Sequence, residues 1–372
     1  MNPPTTSELA ELAASIGLDA IGLTDASEFS TARRVIEERK HRGLDGGMWF
    51  TYGRPDRSTD PSRILPEARS IIVAAMAYDR TTPEPPDATT VAAVGRFVWE
   101  PYYDQLAEKL EMIADRLRSG GARAVVVFDD NRLVDRAAAY RAGLGWFGKN
   151  TMLLIDGAGS WFVLGSVVTD AELEPEDDQV EDGCGTCVRC QIACPTGALQ
   201  TAGELDGRRC LAWLLQSDGV FPAEHREALG NHIYGCDDCQ VVCPPNVRFT
   251  RSRPNPEGGP AEAAWVDAIS ILAASDDELM DRYGRWYIPR RRPEYLRRNA
   301  LVVLGNVGEP GDERVVAAVV LALSSEHPVV VAHAVWCARR FGRDDLVDNL
   351  DPTMANEVVV AGELERAVPL RR

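Results

Sequence analysis

"CGTCVRCQIACP" (residues 184–195) sets four cysteines at separations of two, two and three residues and closes on a proline. Eight of the nine cysteines in the 372-residue chain fall between 184 and 243. Thiols are kept reduced in the cytosol, so such local crowding points to metal rather than to disulfides. Zinc also takes four thiolates, but its tetrahedral sites usually pair two short C-x2-C units. The 184–195 run packs four ligands too tightly for one tetrahedral ion.

The spacing C-x2-C-x2-C-x3-C-P is that of bacterial two-cluster ferredoxins, in which the fourth cysteine ligates the other cluster. A partner set is therefore required, and it is present as Cys236-x2-Cys239-x3-Cys243-Pro244, with Cys210 between the runs. Eight thiolates at four per cubane make two [4Fe–4S] clusters. The expected ligands are Cys184, Cys187, Cys190 and Cys243 for one, and Cys194, Cys210, Cys236 and Cys239 for the other. Cys337 sits in the apolar run "VVVAHAVWCARRF" and reads as an inert core thiol.

The chain is long enough for two or three domains. It has no apolar run near the ~20 residues of a spanning helix, and "MNPPTTSELAELAASIG" lacks the basic start and apolar middle of a signal peptide. A cytoplasmic protein with no membrane contact is expected. The net charge of −17 speaks against a nucleic-acid partner, but the charge is uneven. Residues 170–182, "DAELEPEDDQVED", hold eight acids and no base and read as a solvated linker. "RWYIPRRRPEYLRR" (285–298) carries six arginines to one acid, with aromatics between them. It is either a phosphate-tracking patch or a solvated helix face.

The first half reads as α/β. "AIGLT" (20–24), "SIIVAAMAY" (70–78), "RAVVVF" (123–128), "TMLLI" (151–155) and "WFVLGSVV" (161–168) look like strands, alternating with helices such as "YDQLAEKLEMIADRLRSGG" (103–121). Beyond "RPNPEGGP" (253–260) the pattern is wholly helical. Asn299-Ala300-Leu301 and His333-Ala334-Val335 recur 34 residues apart, as in a short HEAT-type repeat.

"GLGWFGKN" (143–150) almost fits a phosphate loop, but Asn150 replaces the hydroxyl, and the segment follows a helix and precedes a strand. It is either a plain tight turn or a loop through which Lys149 and bare backbone approach a large polar cofactor. Asp129 and Asp130 follow the strand "RAVVVF", at the end of an α/β strand where ligands usually bind. A carboxyl there can be a general acid with a raised pKa, or merely cap the next helix. Zinc-protease and serine-hydrolase motifs are absent.

"RAGLGWFGKNTMLLIDGAGSWFVLGSVVTD", the eight-cysteine pattern and "GNHIYGCDDCQVVCPPN" (230–246) together resemble the epoxyqueuosine reductases, cobalamin-dependent iron–sulfur enzymes of queuosine biosynthesis. The resemblance covers roughly residues 10–340. It implies a cobalamin-binding α/β domain (1–175), a ferredoxin-like domain with two [4Fe–4S] clusters (176–252) and an all-α HEAT-like domain (260–372). The activity implied is reduction of epoxyqueuosine to queuosine at the tRNA wobble position, with electrons passing through the clusters to cobalamin. By motif position Asp129 is the proton donor, and Lys149, Asn150, Ser160 and Gln240 are cobalamin contacts. Arg290, Arg291, Arg292, Arg297 and Arg298 become tRNA contacts, and the partners are tRNA and an external donor such as a flavodoxin or ferredoxin, with the enzyme a monomer. The chain departs from the family pattern at "DDNR" (129–132), where members read Asp, Ser or Thr, any residue, Pro, and at "WEPYYD" (99–104). Rival readings are a reductive dehalogenase-like cobalamin enzyme acting on a small molecule and a ferredoxin-type electron carrier.

Overall fold

Seven of the eight residues of Ser70–Ala77 are buried, as expected of a strand covered on both faces. The computed structural model describes residues 4–78, 80–175, 180–252, 261–348 and 350–371. The Pro/Gly-rich linker 253–260 and residues 176–179 of the acidic segment lie outside these described residues. The strands, in chain order, are β1 (Ala20–Asp25), β2 (Ser70–Ala77), β3 (Val91–Val94), β4 (Ala124–Phe128), β5 (Gly145–Phe147), β6 (Leu153–Ile155), β7 (Phe162–Thr169), β8 (His232–Tyr234) and β9 (Trp265–Asp267). All five strands read from the sequence are among them.

Two compact units interleave along the chain, whereas the sequence reading set three segments in succession. The first comprises residues 1–81, 100–208 and 237–257, the second 82–99, 209–236 and 258–372.

In the first unit β1, β2, β7 and β4 form one sheet in that order, with antiparallel neighbours throughout. Helix α1 (Thr6–Ser15) starts from a capping box in which Thr5 and Glu8 satisfy each other's backbone amides. Helix α2 (Tyr102–Ser119) buries Leu106, Leu110, Ile113, Ala114 and Leu117, a stripe at helical spacing, and packs on β4 and β7. Gly165 makes the contact possible, since a Cβ there would sit 2.6 Å from the Leu110 side chain. Helix α3 (Asp135–Arg141) follows β4 after a six-residue loop, 129–134. The turn 143–150 contains β5, which pairs with β6 in a separate ribbon.

In the second unit β3 pairs parallel with β8 and antiparallel with β9, which corrects the reading of residues 260–372 as all-α: three residues there, Trp265–Asp267, are a strand because Val91–Ala93 offer them an edge to pair with. Helices α4 (Glu294–Val307), α5 (Glu313–Leu323), α6 (Pro328–Arg340) and α7 (Val358–Glu365) follow, with α6 packed against the other three. The two repeat-like triplets lie on α4 and α6, where Asn299, Ala300, Leu301, His333, Ala334 and Val335 are all fully buried. Arg226 and Glu363 form a bidentate pair at 2.8 and 3.0 Å, both enclosed, which ties α7 to the segment before β8. An enclosed charge needs such a partner, because removing either side strands the other in low dielectric. Cys337 is fully buried on α6, as an inert core thiol should be.

Candidate active site

β4 delivers its chain to Asp129 at the edge of the first unit's sheet. Asp129 adopts a left-handed backbone (φ 43°), uncommon for a residue with a Cβ and a mark of a position held by its surroundings. The next residues show how it is held. Asp130 accepts from the Arg132 backbone N–H at 2.6 Å and from Arg132 Nε at 2.7 Å, while Arg132 also donates to the Val126 carbonyl at 3.2 Å. Arg132 thus closes the loop as a side-chain clamp.

Asp129 is solvent-accessible as a residue, yet enclosure by the surrounding protein, and after it the Asp130 charge, pushes its carboxyl up to about 6. Accessible surface with dense surroundings describes the floor of a recess. A carboxyl with that pKa keeps a useful protonated fraction near neutrality. Asp130→Asn removes a neighbouring negative charge and frees the Arg132 cation, both of which favour ionisation. The pKa of Asp129, followed by carbon-13 NMR titration, is expected to fall towards the ordinary carboxylate range; an unchanged value would show that Asp130 does not act on it.

Two further groups belong to this recess and were missed in the sequence. Asp135 opens α3, and burial, with the charges of Asp129 and Asp130, holds its carboxyl well above the usual value against the opposing pull of Arg136. Tyr103, on α2, is likewise raised by burial and then by Asp129 and Asp135. A third aspartate six residues after Asp129 was the available signal, but it sat inside a pattern read only as helical.

The cysteines are divided between the units. Cys184, Cys187, Cys190, Cys194, Cys239 and Cys243 lie in the first, Cys210 and Cys236 in the second. Within the first unit, enclosure pushes the Cys243 thiol up to about 11, with Cys184, Cys190 and Cys187 adding to the shift. Cys243 is thus brought beside three cysteines more than fifty residues away in sequence. All are half-buried free thiols. Such a grouping of thiols fits a cluster better than an apolar core, since thiolates crowded together need a cation among them.

The four candidate cobalamin contacts also gather in the first unit. Lys149 Nζ donates to the carbonyls of Gly185 (2.6 Å) and Cys187 (3.0 Å), so it braces the cysteine loop. Buried Asn150 reaches the Cys239 carbonyl at 3.5 Å. Ser160 Oγ donates to Gln240 Oε1 at 2.9 Å, and Asn246 Nδ2 to Ser160 Oγ at 3.0 Å. Gly159 permits this approach, because a Cβ on it would lie 2.0 Å from Asn246 Oδ1. Gln240 Oε1 also accepts from the Tyr78 hydroxyl at 3.4 Å. Asn150, Ser160 and Gln240 are all buried polar side chains, and amides and a hydroxyl enclosed together in this way fit a large polar cofactor better than an apolar core.

The basic segment lies in the second unit. Arg290, Arg291 and Arg292 are exposed, Arg290 facing Asp218 at 3.2 Å and Arg291 donating to the Gly284 carbonyl at 3.1 Å. Arg298 is a correction to the sequence reading. It is fully buried and its guanidinium is consumed by the carbonyls of Leu214, Leu215, Ser217 and Gly219, so it reaches no phosphate. Arg297 is largely withdrawn too, bound to Asp276 at 2.6 Å and the Ala274 carbonyl at 2.7 Å.

Comparison with known proteins bears on this geometry. Residues 58–130 match the family described as "Epoxyqueuosine reductase QueG, DUF1730", and residues 183–246 match a "4Fe-4S double cluster binding domain". The epoxyqueuosine reductase of Bacillus subtilis is 34% identical over 96% of this chain and 91% of its own length. A crystal structure of a selenomethionine-labelled epoxyqueuosine reductase superposes with a TM-score of 0.85 at 30% identity, covering 96% of this chain and 98% of the other. Another, of an epoxyqueuosine reductase with an epoxyqueuosine-modified tRNA-Tyr stem loop, gives 0.82 at 30% identity, covering 96% and 97%. Sequence and fold agree along nearly the full length of both partners, and the chain belongs to the epoxyqueuosine reductase family.

Proposed function

We propose that the protein reduces epoxyqueuosine to queuosine at the wobble position of tRNA. The observation that carries this reading is Asp129, an accessible carboxyl held protonated towards neutrality in the same unit as the Cys184, Cys187, Cys190 and Cys243 thiols. The two [4Fe–4S] clusters and cobalamin, when bound, would relay the two electrons that the reaction consumes. Cys184, Cys187, Cys190 and Cys243 hold one cluster, and Cys194, Cys210, Cys236 and Cys239 the other. Lys149, Asn150, Ser160 and Gln240 hold the cobalamin within residues 1–175 and the adjoining cysteine segment, while 176–252 carries the ferredoxin-like part and 260–372 the HEAT-like part.

Asp129 donates its proton to the epoxide oxygen as the carbon–oxygen bond opens, because an alkoxide leaves poorly at neutral pH. The Asp130–Arg132 clamp holds the loop that presents it. The electron source is an external donor of flavodoxin or ferredoxin type, and the enzyme acts as a cytoplasmic monomer; no helix among the described residues is long and apolar enough to cross a membrane.

The deciding experiment incubates reduced, cobalamin-loaded protein with epoxyqueuosine-containing tRNA and analyses the nucleosides. Queuosine is the expected product. Unchanged epoxyqueuosine, with clusters and cobalamin intact, sinks the assignment. The RNA face is tested separately. Changing Arg290, Arg291 and Arg292 together to alanine should weaken tRNA binding and flatten its salt dependence, with a loss of slope of roughly 0.7–0.9 per phosphate contact removed. An unaltered slope means that these arginines are a solvated face.

A further inference from the structure

Conversion of an epoxide to an alkene breaks two carbon–oxygen bonds, takes up two electrons and releases the oxygen as water, so the oxygen leaves with two protons. Asp129 carries one. Asp130 cannot supply the other directly, because its carboxylate is engaged by the Arg132 backbone and guanidinium. The recess contains a second carboxyl whose circumstances differ. Asp135 is half-buried, and its Oδ1 is enclosed with no hydrogen-bond partner among the described residues. A carboxylate oxygen shut away without a donor is unfavourable, while the neutral acid tolerates the same enclosure.

The groups that face Asp135 reinforce this. From the loop come the charges of Asp129 and Asp130, from its own helix the opposing Arg136, and from α2 the phenol of Tyr103, which lies within electrostatic reach of both Asp129 and Asp135. One cation is set against two neighbouring anions in an enclosed site. Burial and those anions hold Asp135 protonated well above the usual carboxylate range.

We propose that Asp135 is the second acid of the reaction, reloading Asp129 after Asp129 has protonated the substrate oxygen; the proposal rests on the epoxyqueuosine reading. The first proton passes from Asp129 to the oxygen as the ring opens. That transfer leaves Asp129 ionised; the Asp135 proton then moves onto Asp129, which passes it to the departing hydroxide, so the step ends with water and with both carboxyls ionised, and solvent then reprotonates the pair. The transfer runs downhill although burial holds the Asp135 proton tightly, because the final acceptor is hydroxide, a far stronger base than either carboxylate.

The test has a static and a kinetic readout. Carbon-13 NMR titration of the aspartate carboxyls in protein without cobalamin should show two groups titrating above the usual range, and Asp135→Asn should remove the higher one while leaving Asp129 near its wild-type value. In the cluster- and cobalamin-loaded enzyme Asp135→Asn should lower the single-turnover rate by about 10²-fold with tRNA affinity unchanged. The fall of log rate at high pH should relax from a slope of −2 to −1, and Asp135→Glu should restore much of the rate. Asp135→Asn turning over at the wild-type rate and slope, or removing no high-titrating carboxyl, overturns the proposal and leaves the function standing. Wild-type protein that shows both carboxyls but leaves epoxyqueuosine unreduced refutes the function instead. If Asp135→Asn loses its iron, the Asp135→Glu pH slope decides: −2 supports a second acid, −1 opposes it.

Discussion

Asp129→Asn is expected to lower turnover of epoxyqueuosine-tRNA by roughly 10²–10⁴-fold, the usual range for loss of a general acid. The substitution keeps the size and most of the hydrogen bonding of the side chain, so iron and cobalamin contents should match the wild type. The pH dependence gives the sharper reading. The carboxyl is held up to about 6. It is therefore protonated below that value, and above it the active fraction drops about tenfold per pH unit. Wild-type activity should decline along that limb as pH rises, and the limb should vanish from the residual activity of Asp129→Asn. A variant that keeps wild-type turnover moves the acid elsewhere in the recess.

Cys243→Ala is expected to abolish turnover and to leave about half of the eight irons that two cubanes contain. The reason is spatial, since Cys243 lies beside Cys184, Cys187 and Cys190 although the chain separates them widely. The cluster assigned to Cys194, Cys210, Cys236 and Cys239 keeps all four thiolates in this variant and should survive. Iron analysis and electron paramagnetic resonance of the anaerobically reduced variant measure the outcome. Retention of all the iron would mean that another ligand completes the first cluster, and stoichiometric zinc in the wild type would discard the cluster reading itself.

How much of this was legible in the sequence follows from the range over which each feature acts. The cysteine runs carry their chemistry in local spacing, and β1, β2, β4, β6 and β7 carry theirs in short apolar stretches. The strand end drew attention to Asp129 and Asp130 alike, and only motif position within the family resemblance picked out Asp129; the sheet it leaves is antiparallel, so the ligand rule for parallel α/β sheets was not what located it. Asp135 and Tyr103 could not be picked out, since their raised pKa values arise where α2, the 129–134 loop and α3 meet, and no periodicity encodes that enclosure. Arg298 misled for a related reason. An arginine in a basic string reads as surface, but the carbonyls that bury it come from residues 214–219, some eighty positions earlier. Strand β3 went unread because its partners lie at 232–234 and 265–267.

The pairing of Val91 with Asp267 fixes an order of events at the ribosome. At about 5–20 residues per second, β3 emerges on the order of ten seconds or more before β9 is synthesised. The first unit waits similarly for residues 237–257, which include Cys239 and Cys243. Neither unit can therefore close behind the other as a finished N-terminal product, and a nascent chain stalled near residue 208 holds four cysteines of the first run without their partners. A complete set of eight cluster cysteines therefore exists only once residue 243 has been made.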